Sequence, residues 1–169
     1  MYDIRSSWAV PEEIKAAGGI PVPSRVGHGL IKKQMRAEGG YFGGELSSHY
    51  YFSTFHFTDN GDLAFLNIVK LLLEEGKPLS ELVAPIKRYF HTPEINSKVA
   101  DVQDKLAEIK KVYADGKMSE LDGLTVEFDD WWFNVRPSQT EPLLRLNLEA
   151  KTEKMKNEKC EEVLKLIRS

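Results

Sequence analysis

With a single cysteine, Cys160, in 169 residues the chain cannot close an internal disulfide, and so sparse a use of thiols fits a reducing compartment. Cys160 lies in the charged stretch KNEKCEEV, with no second Cys or His close in sequence, and reads as incidental. An excess of one charge is lacking too. The 23 Lys and Arg set against 26 Asp and Glu leave a net charge of −3, which gives no electrostatic reason to expect nucleic acid or an acidic membrane as partner. No apolar run approaches the roughly 20 residues of a membrane helix. The opening MYDIRSSWAV has no basic segment leading into an apolar one, so it does not read as a signal peptide. The histidines His28, His49, His56 and His91 show no HxxxH-type spacing, and no metal site is expected from them. The expectation is a soluble cytoplasmic protein.

What is present is the balance of a globular chain, 41% hydrophobic and 29% charged, with room for one ordinary domain or two small ones. The first part alternates strand and helix. A helix over Trp8 to Ala17 stops at Gly18-Gly19, Ile20 to Val22 reads as a strand, and a second helix over Gly29 to Ala37 stops at Gly39-Gly40. The aromatic and β-branched run YYFSTFHF, Tyr50 to Phe57, predicts one strand. Asp59 and Asn60 offer caps for a helix over Leu63 to Glu75, apolar on nearly every side and therefore expected to be buried. Beyond a boundary between Pro78 and Pro93 the order changes. Val102, Leu106, Ile109 and Tyr113 mark an amphipathic helix, LTVEF, WWFNV and LLRLNLEA read as strands, and Thr152 caps a closing helix. The sequence thus predicts a layered α/β domain over 1–85 followed by an α+β domain over 86–169.

Two segments carry chemistry. VRPSQTEP packs Arg136, Ser138, Gln139 and Thr140 between two prolines and two strands. A guanidinium, two hydroxyls, an amide and exposed backbone N–H groups suit a phosphate dianion, although a polar hairpin turn with one surface arginine fits the same letters. In GGELSSHYYF, Glu45, Ser47 and His49 alternate, so on an extended path they point one way and can read sugar hydroxyls. A solvated strand face remains the alternative.

Together these segments resemble a known family. Glu45 to His49 (ELSSH) resembles the G-E-M-S-G-H sugar-binding loop of the α-D-phosphohexomutases, of phosphomannomutase/phosphoglucomutase type. RPSQTEP resembles that family's R-x-S-N-T-x-P phosphate loop, and the stretch from Arg25 to Lys32 resembles its G-H-x-x-I-K segment. TPEIN (Thr92 to Asn96) and LDG (Leu121 to Gly123) fall where the family has them.

The resemblance implies the third domain of a four-domain mutase, lacking its first strand, followed by the fourth, TATA-binding-protein-like domain. Carried over by position, Arg5, His28, Glu45, Ser47 and His49 would bind the sugar, and Arg136, Ser138, Gln139 and Thr140 the phosphate that is not transferred. The implied ligands are mannose or glucose 6- or 1-phosphate and hexose 1,6-bisphosphate, and the implied partners are the missing N-terminal domains. Ser48, Leu46 and Gln139 depart from the commoner Gly or Ala, Met and Asn. Neither the family's T-A-S-H-N-P serine context nor its Mg²⁺-holding D-G-D-G-D loop occurs in the sequence. The expectation is therefore recognition without phosphoryl transfer in this chain, with no cofactor of its own and Mg²⁺ confined to the full-length enzyme. A free-standing phosphosugar-binding or complementing half-protein is the alternative, and a scaffold for protein interaction a third.

Overall fold

The computed structural model describes residues 1–138 and 141–169, and the chain divides into two compact units, Met1–Arg88 and Tyr89–Ser169. In the first unit a five-stranded sheet runs β2-β1-β3-β4-β5. It is built from β1 (Tyr2–Asp3), β2 (Pro23–Ser24), β3 (Phe42–Gly44), β4 (Tyr50–Phe52) and β5 (Thr58–Asp59). Parallel pairing of β1 with β2 and β3 needs crossovers, which α1 (Ala9–Ala16) and α2 (His28–Glu38) supply. The remaining pairs are antiparallel. The core is small: Ile31 and Met35 from α2 meet Tyr51 from β4, with Met1 and Phe57 at its margin.

Three expectations fail in this unit. The strand after the first helix lies at Pro23–Ser24, not Ile20 to Val22, and Ile20 is exposed. The run Tyr50 to Phe57 is not one strand, because His56 and Phe57 adopt positive φ of 56° and 59° and turn the chain between β4 and β5. The apolar helix α3 (Gly61–Glu75) has no buried residue, and Phe65 and Leu73 are 66% and 79% exposed. Its cap is Asn60, whose side chain accepts the Leu63 N–H at 2.8 Å. The short α4 (Leu79–Val83) closes the unit, and Arg88 pairs with Glu12 and Glu13 of α1 and its first turn.

The second unit is an antiparallel sheet ordered β6-β11-β10-β9-β8, with β7 also paired to β11. Its strands are β6 (Phe90–His91), β7 (Ile95–Lys98), β8 (Lys117–Ser119), β9 (Leu124–Glu127), β10 (Trp131–Pro137) and β11 (Leu143–Ala150). The helices are α5 (Val102–Val112) and α6 (Glu153–Arg168). Asp101 caps α5 by accepting from Gln103 and Asp104 N–H, and Thr152 caps α6 through Met155 N–H. The register sorts the side chains by the two-residue period of a strand. Trp131, Phe133 and Val135 face Ala150, Leu148 and Leu146 across the ladder, and this face forms the core with Ile109, Tyr113, Val163 and Ile167. Each Val, Leu, Ile or Phe among them stabilises the fold by about 1.5–3 kcal/mol on burial. The alternate residues, Trp132, Asn134 and Arg136 opposite Glu149, Asn147 and Arg145, make the other face polar. Cys160 packs at the edge of the core, and burial pushes its thiol up and away from reactivity.

Candidate functional site

In the first unit the turn between β3 and β4 gathers the candidates. The chain from Glu45 to His49 is not extended, as alternation had predicted. Glu45 N–H donates to His49 O at 3.0 Å, Ser48 N–H returns to Glu45 O at 3.0 Å, and Ser48 sits at φ +66°. That left-handed residue closes the turn, where a glycine avoids the steric penalty. The turn still joins two of the predicted side chains. Ser47 Oγ donates to Glu45 Oε2 at 3.2 Å, and Tyr51 OH donates to Glu45 Oε1 at 2.6 Å. Burial, with Glu45 beside it, pushes the Tyr51 phenol far up, so it remains a donor to the buried carboxylate.

Arg5 reaches the same turn through Asp3, a buried residue at the end of β1. Arg5 Nε lies 3.0 Å from both Asp3 oxygens, and Asp3 Oδ2 also accepts Leu46 N–H at 3.3 Å. One carboxylate therefore fixes both the guanidinium and the tip of the turn. His49 leaves Glu45 and Ser47 and pairs with Asp59 of β5. His28 opens α2 and is exposed; it enters as a positive charge that helps hold the Asp59 carboxyl below its ordinary range. Asp3, Tyr51 and Asp59 were not foreseen as site residues. The Asp-Ile-Arg spacing, an acid two residues before the candidate Arg5, was the available signal for Asp3.

In the second unit Arg136 ends the polar face of β10, directly opposite Arg145 of β11. Like charges so placed destabilise a sheet unless an anion joins them. Glu94 lies between them: its Oε2 is 3.5 Å from Arg136 Nη2 and its Oε1 3.4 Å from Arg145 Nη1, while Asn147 Nδ2 donates to Oε2 at 3.4 Å. Ser138 Oγ accepts from Arg145 Nη2 at 3.5 Å, and Ser138 N–H donates to Leu143 O at 2.9 Å. These four side-chain contacts are longer than the 2.7–3.2 Å of well-formed hydrogen bonds. The Nε donors of Arg136 and Arg145 are buried and, among the described residues, meet no acceptor. Gln139 and Thr140, the other predicted phosphate contacts, lie outside the described residues. Arg145, Glu94 and Asn147 were not foreseen. They belong to strands or the approach to one, two of them read only as hydrophobic alternation.

Beneath this cluster Asn134 Nδ2 donates to Asp122 O and Thr125 Oγ1, both at 3.0 Å, and Trp132 Nε1 donates to buried Glu149 at 3.0 Å. These bonds fix the polar face on which the arginines stand. Among the described residues no three of His, Cys, Asp and Glu come together as a metal site. Among them, too, no helix is long and apolar enough to cross a membrane.

Comparison with known proteins follows these features along the chain. Residues 1–89 match phosphoglucomutase/phosphomannomutase, alpha/beta/alpha domain III, and residues 94–166 match the C-terminal domain of the same family. A phosphomannomutase of Methanocaldococcus jannaschii is 47% identical over 167 residues, covering 99% of this chain and 37% of the relative. A phosphoglucomutase/phosphomannomutase family protein of Burkholderia thailandensis superposes with a TM-score of 0.80 at 26% identity, over 97% of this chain and 36% of that one. A structure of N-acetylphosphoglucosamine mutase from Aspergillus fumigatus in complex with glucose 1,6-bisphosphate shares the fold, with a TM-score of 0.70 at 13% identity over 99% of this chain and 37% of that one. The chain thus spans little more than a third of the length of these relatives. On the match of its two units, in order, to two successive domains, the chain belongs to the phosphoglucomutase/phosphomannomutase family.

Proposed function

We propose that this chain supplies the sugar-hydroxyl and distal-phosphate recognition of a hexose-phosphate mutase, an isomerase that interconverts hexose 6- and 1-phosphates through a 1,6-bisphosphate. The first unit reads hydroxyls with Glu45, Ser47 and His49, helped by Arg5 and His28. The second anchors the phosphate with Arg136, Ser138, Gln139 and Thr140, to which Arg145 is added. One observation carries this reading: two cross-strand guanidiniums whose contacts to Glu94 are 3.4 and 3.5 Å long and whose buried Nε donors meet no acceptor among the described residues. A phosphate dianion brings more acceptor oxygens and twice the charge of a carboxylate, which suits such a half-filled set of donors.

Firm anchoring of whichever phosphate is not reacting lets remote binding energy position the other end of the substrate. Mg²⁺ and the phosphoryl-carrying serine belong to the domains that the relatives carry in addition, and a cytoplasmic setting is part of the reading. The test is an amide chemical-shift titration with mannose 6-phosphate and glucose 6-phosphate, repeated on Arg136→Ala. Saturable shifts at residues 43–49 and 135–141 are expected, with a dissociation constant of about 1 mM, or about −4 kcal/mol, and they vanish at 135–141 in the variant. Unchanged binding by Arg136→Ala overturns the phosphate assignment. Turnover of either hexose phosphate by rigorously purified chain would overturn the assignment of recognition without transfer.

A further inference from the structure

The histidine of the sugar turn is held by a residue with no assigned role. Asp59 stands on β5 opposite Tyr51 of β4, and its two oxygens are divided between two donors. Oδ1 accepts Tyr50 N–H at 2.9 Å, and Oδ2 lies 2.5 Å from His49 Nδ1. A carboxylate that accepts at both oxygens is in its acceptor-only form. Burial opposes that form, but the hydrogen bonds from His49 and the Tyr50 N–H lead the interactions that outweigh it and keep the carboxyl ionised below its ordinary range. An acceptor-only partner at Nδ1 requires the ring proton to be on Nδ1.

We propose that Asp59 is a positioning residue: it fixes neutral His49 as the Nδ1–H tautomer and leaves Nε2, on a half-exposed ring, as a bare acceptor for a sugar hydroxyl. The chemistry sorts the two ends of the ligand. An acceptor nitrogen suits hydroxyl donors and repels a phosphate, whereas the paired guanidiniums of the second unit suit the phosphate. The proposal rests on the sugar-binding reading above, but its core, the tautomer, is measurable without ligand.

The experiment is a two-bond ¹H–¹⁵N correlation spectrum of the ligand-free chain, ¹⁵N-labelled in its histidine rings, at alkaline pH, with His49 assigned by His49→Gln. Protonated Nδ1 and unprotonated Nε2 are expected. In Asp59→Asn the amide oxygen keeps the Tyr50 N–H while the amide nitrogen donates to Nδ1, so the ring proton moves to Nε2. Wild type with Nε2–H, or Asp59→Asn that retains Nδ1–H, overturns the proposal; the wild-type spectrum alone decides the first point if the variant misfolds. In a second arm, Asp59→Asn weakens binding of mannose 6-phosphate or glucose 6-phosphate by about tenfold, the loss of one good hydrogen bond, and leaves inorganic phosphate binding unchanged. Equal weakening of both overturns the assigned role. If wild type binds phosphate but gains nothing from the sugar, the sugar-binding reading falls, and the tautomer still reports on Asp59.

Discussion

Gly123→Ala is expected to damage the second unit well beyond the ordinary effect of one methyl group. Gly123 sits at φ +69°, just before β9, in the Leu-Asp-Gly stretch. A Cβ there would lie 2.4 Å from Val135 O and 2.8 Å from Arg136 Cα, both backbone atoms of β10. The left-handed conformation alone costs a non-glycine residue about 1–2 kcal/mol. Separating the strands by about 1 Å at this point weakens one or two ladder hydrogen bonds, about 1 kcal/mol each. The stiffer unfolded chain gives back about 0.4–1 kcal/mol. The net loss is about 2–3 kcal/mol, with Arg136 displaced along with the strand. Gly39→Ala, in the other unit, isolates the conformational part, since φ is +68° there and nothing lies within 4 Å of the added carbon; it should cost about 1 kcal/mol. Urea unfolding followed by tryptophan fluorescence in a Trp8→Phe background reports the second unit through Trp131 and Trp132. Hydrogen exchange of the helix amides reports the first. A Gly123→Ala chain within about 1 kcal/mol of its parent would refute the clash argument.

Ser48→Gly should stabilise the first unit by about 0.5–1 kcal/mol, measured as a higher urea midpoint, because it relieves the positive φ at the turn between β3 and β4. Leu73→Gln on the exposed face of α3 should stay within about 0.5 kcal/mol, whereas Ile31→Ala in the core of the same unit should cost about 2–5 kcal/mol, both read from unfolding midpoints. Asp59 titrates below its ordinary value of 3.8 in the folded chain, so its stabilising effect is full above that pH and fades as pH falls through the lower folded value. Asp59→Asn should therefore narrow the difference between midpoints at about pH 6 and about pH 2.

The second unit was readable because its long strands obey one rule. WWFNV and LLRLNLEA alternate against a single core, and turn residues and caps mark their ends. β6 and β7 escaped because two- and four-residue strands around Pro93 carry too little periodicity to register. In the first unit α3 misled because apolar content says what a helix is able to bury, while burial depends on what packs against it. The site divided in the same way. Residues inside recognisable loops, Glu45, Ser47, Arg136 and Ser138, were legible as chemistry. Asp3, Asp59, Glu94 and Arg145 act across strands, and their partners are remote or masked by hydrophobic alternation. The turn at 45–49 was misread because alternation assumes an extended chain, and Ser48 leaves that conformation.

The strict alternation of β10 and β11 ties the placing of the arginine cluster to the accuracy of folding. A slip of one residue between these strands would turn one of them over: either Arg136 would face the aromatic core with Phe133 exposed, or Arg145 would face it with Leu146 exposed. The core thus acts as a proofreader: misregistered chains are rejected for their greasy face before the arginines are ever tested. Evolution of the connecting hairpin is constrained accordingly. Inserting or deleting one residue in the connection between β10 and β11 carries that same risk unless a bulge absorbs it.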